Sequence, residues 1–152
     1  MNYPCAIKEQ EAQSFLAIRV RTPVSGLPAK LGESYGAIMG YLEGLGKQAA
    51  GMPFSAYYNQ DMADLDVEIG IPTAEILAGS GNIYGADFPA GKVAECVYTG
   101  PYSQMEPAYQ KLAEFVAEQG VEVTGVAYEK YIDDPADTPV SELRTLIVFP
   151  LK

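Results

Sequence analysis

Residues 92–120 read KVAECVYTGPYSQMEPAYQKLAEFVAEQG, and the fold turns on the change of period inside this stretch. From Lys92 to Thr99 apolar and polar residues alternate as in a half-buried strand, and Gly100-Pro101 breaks the pattern. Ser103 and Glu106 stand at capping-box spacing. Tyr109, Leu112, Phe115 and Val116 then recur at three and four residues as far as Gly120, which predicts a helix. Downstream, Gly125 to Ile132 and Leu143 to Leu151 have strand character. The loop Asp133-Asp134-Pro135-Ala136-Asp137-Thr138-Pro139 joins them as a hairpin.

The same unit occurs earlier in the chain. A shift of 74 residues places Gly26 on Gly100, Tyr35 on Tyr109, Ile38 on Leu112, Tyr41 on Phe115, Gly46 on Gly120 and Tyr57 on Tyr131. The second copy gains four residues in its hairpin loop, so the shift becomes 78 and Ile69 falls on Ile147, Ile71 on Phe149 and Pro72 on Pro150. The first copy therefore reads as a strand from Ser14 to Arg21, a helix from about Pro28 to Lys47, and strands from Met52 to Asn59 and Leu65 to Pro72. Tyr3 to Lys8 looks like an additional strand. The expected fold is α+β: one domain over 1–152, made of two pseudo-symmetric strand-helix-strand-strand repeats, about 1–78 and 79–152. A mostly antiparallel sheet would carry the two main helices, with a central cleft on the approximate two-fold axis.

The chain has 152 residues, 48% of them apolar, which suits one domain with a core of its own. It contains no histidine, and this excludes a Ser-His-Asp triad, a Cys-His pair, an H-E-x-x-H zinc helix and His-ligated haem. The formal net charge of −10 repels phosphate backbones, so direct nucleic-acid binding is not expected. That charge is compatible with a cationic ligand and equally with a role in solubility alone. The N-terminal MNYPCAIKEQEAQ lacks a basic region followed by an apolar one, and no run approaches a membrane span, so a soluble cytoplasmic protein is expected. Cys5 and Cys96 are too few for a disulfide framework or a Cys-based zinc site and read as plain thiols. No cofactor or metal is expected, and nothing in the sequence demands an oligomer.

Candidate ligand-binding residues come from the repeat. Tyr35, Tyr57, Tyr109 and Tyr131 are tied to it and would approach the axis from symmetric positions, either as core residues or as an aromatic cage. Glu68, inside DVEIGIP (Asp66 to Pro72), projects opposite Val67 and Ile69, toward solvent or into a polar pocket. Leu146 takes its place in the second repeat, and one carboxylate opposite one aliphatic suits a monocation with an apolar body, with Glu68 as its counter-charge. Glu129 is a second acidic candidate, since strand alternation puts it on the face of Tyr131. The first helix also carries Gly32, Gly36, Gly40 and Gly44, four apart on one stripe. Close packing against the sheet or the twin helix is the expected reason, with room for a flat ligand as the alternative.

These residues resemble a known family. GKVAECVYTGPY (Gly91 to Tyr102), the helix with Tyr109 and Leu112, Tyr128-Glu129-Lys130-Tyr131, Asp134-Pro135 and SELRTLIVFPL (Ser141 to Leu151) look like the GyrI-like small-molecule-binding domain. The first half agrees through GMPFSAY (Gly51 to Tyr57) and the DVEIGIP strand, so the resemblance covers essentially the whole chain. It implies a duplicated fold used as the effector-binding domain of AraC-type and MerR-type multidrug-responsive activators, and also as free-standing proteins. Its members bind hydrophobic, often cationic compounds. One inhibits DNA gyrase, and some hydrolyse cyclopropane-bearing DNA-alkylating natural products. Members commonly carry Glu in a T-E-I-Y-type last strand, where this chain has Thr145-Leu146-Ile147-Val148, so binding is favoured over catalysis.

The expectation is a free-standing protein that senses or sequesters a hydrophobic, aromatic, cationic small molecule in the cleft between the repeats. The alternatives are a hydrolase of cyclopropane-bearing alkylators and an acidic protein-binding inhibitor of a topoisomerase. No helix-turn-helix accompanies the repeats, which argues against a regulator acting alone on DNA.

Overall fold

The computed structural model describes residues 3–152. In chain order its elements are β1 (Cys5–Gln10), β2 (Gln13–Thr22), α1 (Leu27–Gly44), β3 (Phe54–Tyr57), β4 (Leu65–Pro72), β5 (Tyr84–Phe88), β6 (Gly91–Thr99), α2 (Glu106–Gln119), β7 (Ala127–Tyr131) and β8 (Arg144–Pro150). The fold is α+β. It divides into two compact units, one spanning Glu11–Ala90 and the other combining β1 with Gly91–Lys152. The first unit orders its strands β3-β4-β2-β5 and the second β1-β6-β8-β7, with antiparallel pairing within each.

Each unit buries the apolar side of its sheet under one helix. In the first, Leu16 and Ile18 of β2 and Ile71 of β4 pack on Ile38 and Leu42 of α1, while Val67 and Ile69 meet Leu27, Leu31 and Tyr35. In the second, Ala94, Cys96 and Tyr98 of β6 and Ile147 of β8 pack on Ala108, Leu112 and Val116 of α2. These helical positions recur at three and four residues, the spacing that keeps one stripe on the sheet. No helix among the described residues is long and apolar enough to cross a membrane.

Three local expectations are corrected. A Cβ built on Gly32, Gly36, Gly40 or Gly44 meets no atom within 4 Å, so the glycine stripe of α1 is exposed and does not serve close packing. Ser103 does not cap α2. It lies in a 3-10 turn, Tyr102–Gln104, and the helix begins after Met105 without a side-chain cap, its proline within the first two positions. At its other end Gly120 adopts φ 68°, a left-handed cap that only glycine takes without strain.

The third correction is β5, which the sequence reading left out. Two residues separate β5 from β6, just as two separate β1 from β2. Neither junction forms a hairpin: β1 pairs with β6, and β5 with β2. The junctions are Glu11-Ala12 and Pro89-Ala90, and no described non-glycine residue has positive φ, so the tight turns that reverse a chain over two residues are unavailable.

Candidate functional site

In the second unit, Glu129 of β7 points to the α2 side of the sheet. Its Oε2 accepts a hydrogen bond from the Tyr109 hydroxyl of α2, and its Oε1 accepts one from the Tyr131 hydroxyl at 3.0 Å. Tyr102, on the turn after Gly100-Pro101, sets its ring edge-on to Tyr131 at 5.4 Å, and Phe149 lies 5.9 Å from the Tyr109 ring. The carboxylate is half-buried and makes no ion pair among the described residues. Burial raises its pKa above the ordinary carboxylate value, and the two phenol hydrogen bonds oppose that rise. Among the described residues, the carboxylate is thus framed by aromatic rings and held by neutral donors only.

The first unit arranges its counterparts differently. Tyr35 of α1 donates to the Phe54 carbonyl at 2.8 Å, and Ser55 donates to the Tyr57 hydroxyl at 3.0 Å, all on the α1 side of the sheet. Glu68 lies on the opposite face of β4 and is only 5% exposed. Its Oε1 accepts from the Tyr58 hydroxyl at 2.7 Å and its Oε2 from the Tyr84 hydroxyl of β5. Arg19, directly across the register from Glu68, lays its guanidinium 3.9 Å over the Tyr58 ring and grips Asp66 through two bonds of 2.6 and 2.9 Å. Asp66 is held below the usual carboxylate range by that grip, and the Tyr84 hydroxyl is pushed up by burial and then by its bond to Glu68.

Of the sequence candidates, Tyr109, Glu129 and Tyr131 thus come together. Tyr35 and Tyr57 lie on the helix side of the first unit, and Glu68 on its other face. Leu146 of β8 is half-buried on the face away from α2, between its register partners Val97 and Lys130. Burial lowers the Lys130 pKa, with Glu95 opposing.

Sequence reasoning missed Arg19, Tyr58, Tyr84 and Tyr102. Arg19 sits on β2 beside Glu68 and Tyr84 one strand further, on β5, so only the pairing register reveals them. Tyr102 carried a usable signal, because it follows Gly100-Pro101 directly and that turn must bring the chain back toward the hairpin.

The repeat explains the difference between the units. The 74-residue shift that superposes Tyr57 on Tyr131 puts Ser55 at the position of Glu129, and the 78-residue shift puts Leu146 at that of Glu68. Each repeat keeps an acid where the other has none.

A family model for the GyrI-like small molecule binding domain matches residues 3–152. No curated protein matches the sequence. Among solved structures, EcmrR in a cryo-EM EcmrR–DNA complex superposes with a TM-score of 0.86 at 24% identity, over 99% of this chain and 57% of that one. The crystal structure of the EcmrR C-terminal domain gives 0.84 at 23% identity, covering 100% and 99% of the two chains. SAV2435 bound to tetraphenylphosphonium gives 0.68 at 13% identity, over 100% and 94%. The chain spans a little over half the length of EcmrR in the DNA complex, and at these identities the likeness is one of fold.

Proposed function

Because the chain belongs to the GyrI-like small molecule binding family, we propose that it binds aromatic cations, with Glu129 as counter-charge and Tyr102, Tyr109 and Tyr131 as the surrounding rings. One observation carries this reading: both oxygens of a half-buried carboxylate are engaged by phenols and neither by a base. Such a group pays for desolvation without a cation to repay it, and an incoming monocation supplies the missing charge. At about 4 Å and an effective dielectric near 20, the attraction is about 4 kcal/mol before the ligand's own desolvation. Each ring face a cation covers adds about 0.5–2 kcal/mol.

Glu68 fits this part less well: like Glu129 it has phenols on both oxygens, but a cation, Arg19, already stands directly across the register from it. The same occupancy weakens a hydrolytic reading, in which Glu68 would position water, and Leu146 removes the other acid. A topoisomerase-inhibitor reading has net charge alone behind it. The role that follows is sensing or sequestration of hydrophobic cations. SAV2435, a protein of similar fold, is bound to one such compound, which supports the choice of ligand class.

The test is calorimetric titration with tetraphenylphosphonium and with triphenylphosphine oxide as a neutral comparison. Glu129→Gln should weaken the cation at least tenfold, about 1.4 kcal/mol, and leave the neutral compound unaffected. Glu68→Gln should leave cation binding within twofold. Equal binding of the neutral compound, or an unchanged cation affinity in Glu129→Gln, sinks the proposal.

A further inference from the structure

Cys5 and Cys96 are far apart in sequence but directly opposite in the sheet, as register partners on β1 and β6. The Val97 N–H donates to the Pro4 carbonyl at 3.4 Å, and this bond joins the residue after one cysteine to the residue before the other. The pair therefore occupies a non-hydrogen-bonded position, where Cα atoms sit about 4.5 Å apart and facing side chains are closest. Disulfides span Cα separations of about 4.4–6.8 Å. Both side chains belong to the cluster under α2.

We propose that these two thiols are a modification site for low-molecular-weight disulfides, closing into a cross-strand disulfide that fastens β1 to β6. Exposure sets the order of events. Cys5 is half-buried on β1, the edge strand. Cys96 is fully buried. The Cys5 thiol loses its proton to solvent, and its thiolate attacks one sulfur of the reagent RSSR. The S–S bond breaks, and RS⁻ leaves and picks up a proton. The Cys96 thiol then loses its proton, attacks the Cys5 sulfur of the mixed disulfide and expels the second RS⁻. Two protein thiols are oxidised as one RSSR is reduced to two RSH, and a dithiol reductant reverses the sequence.

The closing step carries a signature. Burial first, and then the neighbouring Cys5, push the Cys96 thiol up to about 12, so its thiolate is scarce at neutral pH. Closure should accelerate about tenfold per pH unit between pH 7 and 9, following that thiolate.

The experiment incubates the reduced full chain with oxidised glutathione, then counts thiols after denaturation and weighs the intact protein. The expected result is loss of both thiols with a mass decrease of about 2 Da and no interchain link. Cys96→Ser should stop at glutathione held on Cys5, and Cys5→Ser should leave Cys96 free. Two thiols still titrating after prolonged exposure, oxidation only to covalent dimers, or a stable mixed disulfide in the wild-type chain would each overturn the proposal. The wild-type thiol count decides the matter even if a variant fails to fold.

Discussion

Glu129 accepts the Tyr131 hydroxyl at 3.0 Å, and at the same place in the other repeat Ser55 donates to the Tyr57 hydroxyl at the same distance. One substitution between duplicated halves turns a neutral hydroxyl pair into a carboxylate held by phenols. The spacing of this one pair repeats while its charge and the partner of the helix tyrosine do not, which suits a site specialised on one side only.

Glu129 should leave a mark on stability. Its folded pKa is raised by burial, so its stabilising share is full below the unfolded value and is lost as pH rises through the folded one. The groups facing it are Tyr109 from α2 and Tyr131 of β7, with Tyr102 near enough for its own pKa to be raised in part by Glu129. Measured across that window, the ligand-free melting temperature should fall in the wild type relative to Glu129→Gln. Parallel profiles would refute the assignment.

Affinity for tetraphenylphosphonium should run the opposite way over the same window. A bound cation favours the ionised carboxylate, so binding should tighten with rising pH and release a proton, which shows in titrations repeated in buffers of different ionisation enthalpy. No proton release anywhere in that window would separate the cation from Glu129.

Tyr131→Phe removes a donor to the carboxylate and should raise the Glu129 pKa further, because that bond lowers it in the wild type. Stability should drop by about 1 kcal/mol. Carbon NMR of the Glu129 carboxyl reads the shift directly, and movement toward lower pH contradicts the role given to Tyr131.

The exposed glycines of α1 are substitutable. Gly36→Ala and Gly40→Ala should each stabilise the protein by about 0.8 kcal/mol and add in combination, since an added methyl meets nothing and helix propensity improves. Thermal melts showing destabilisation would mean that this face is covered in solution.

Gly70→Ala should do the reverse. A Cβ there would stand 2.5 Å from Phe54 Cζ and 2.8 Å from the Leu16 carbonyl oxygen, in a ring cluster where Phe54 meets Phe15 at 5.0 Å and Phe88 at 4.7 Å. A loss of about 2–3 kcal/mol in denaturant melts is expected. The Leu16 contact is backbone, so trimming Phe54 should recover only part of it.

The internal repeat made most of the fold legible, because glycines and aromatics at equal spacing located both helices and six of the strands. It did not reach β5, whose stretch from Leu77 to Ala90 is interrupted by Gly79, Gly81 and Gly85 and whose partner β2 lies about seventy residues back. Gly79 and Gly85 are there because backbone carbonyls, of Ile83 and Leu77, crowd them, a cause that spacing does not reveal. The α1 glycines misled for a related reason: a periodic stripe fixes that residues share a side, but not which side. Strand alternation sufficed to place Glu129 with Tyr131. Tyr58 and Tyr84 around Glu68 depend on cross-strand register, which one sequence does not encode locally.

Because β1 builds into the sheet of the later repeat and β5 into that of the earlier one, each half of the duplication holds a piece of the other's sheet. A gene cut between residues 78 and 79 would yield two fragments, each missing one strand and carrying one it cannot use. Such fragments are mutual donors, and co-expression is the condition under which either recovers a full complement of strands. Removing either half therefore takes a strand out of the sheet of the half that remains.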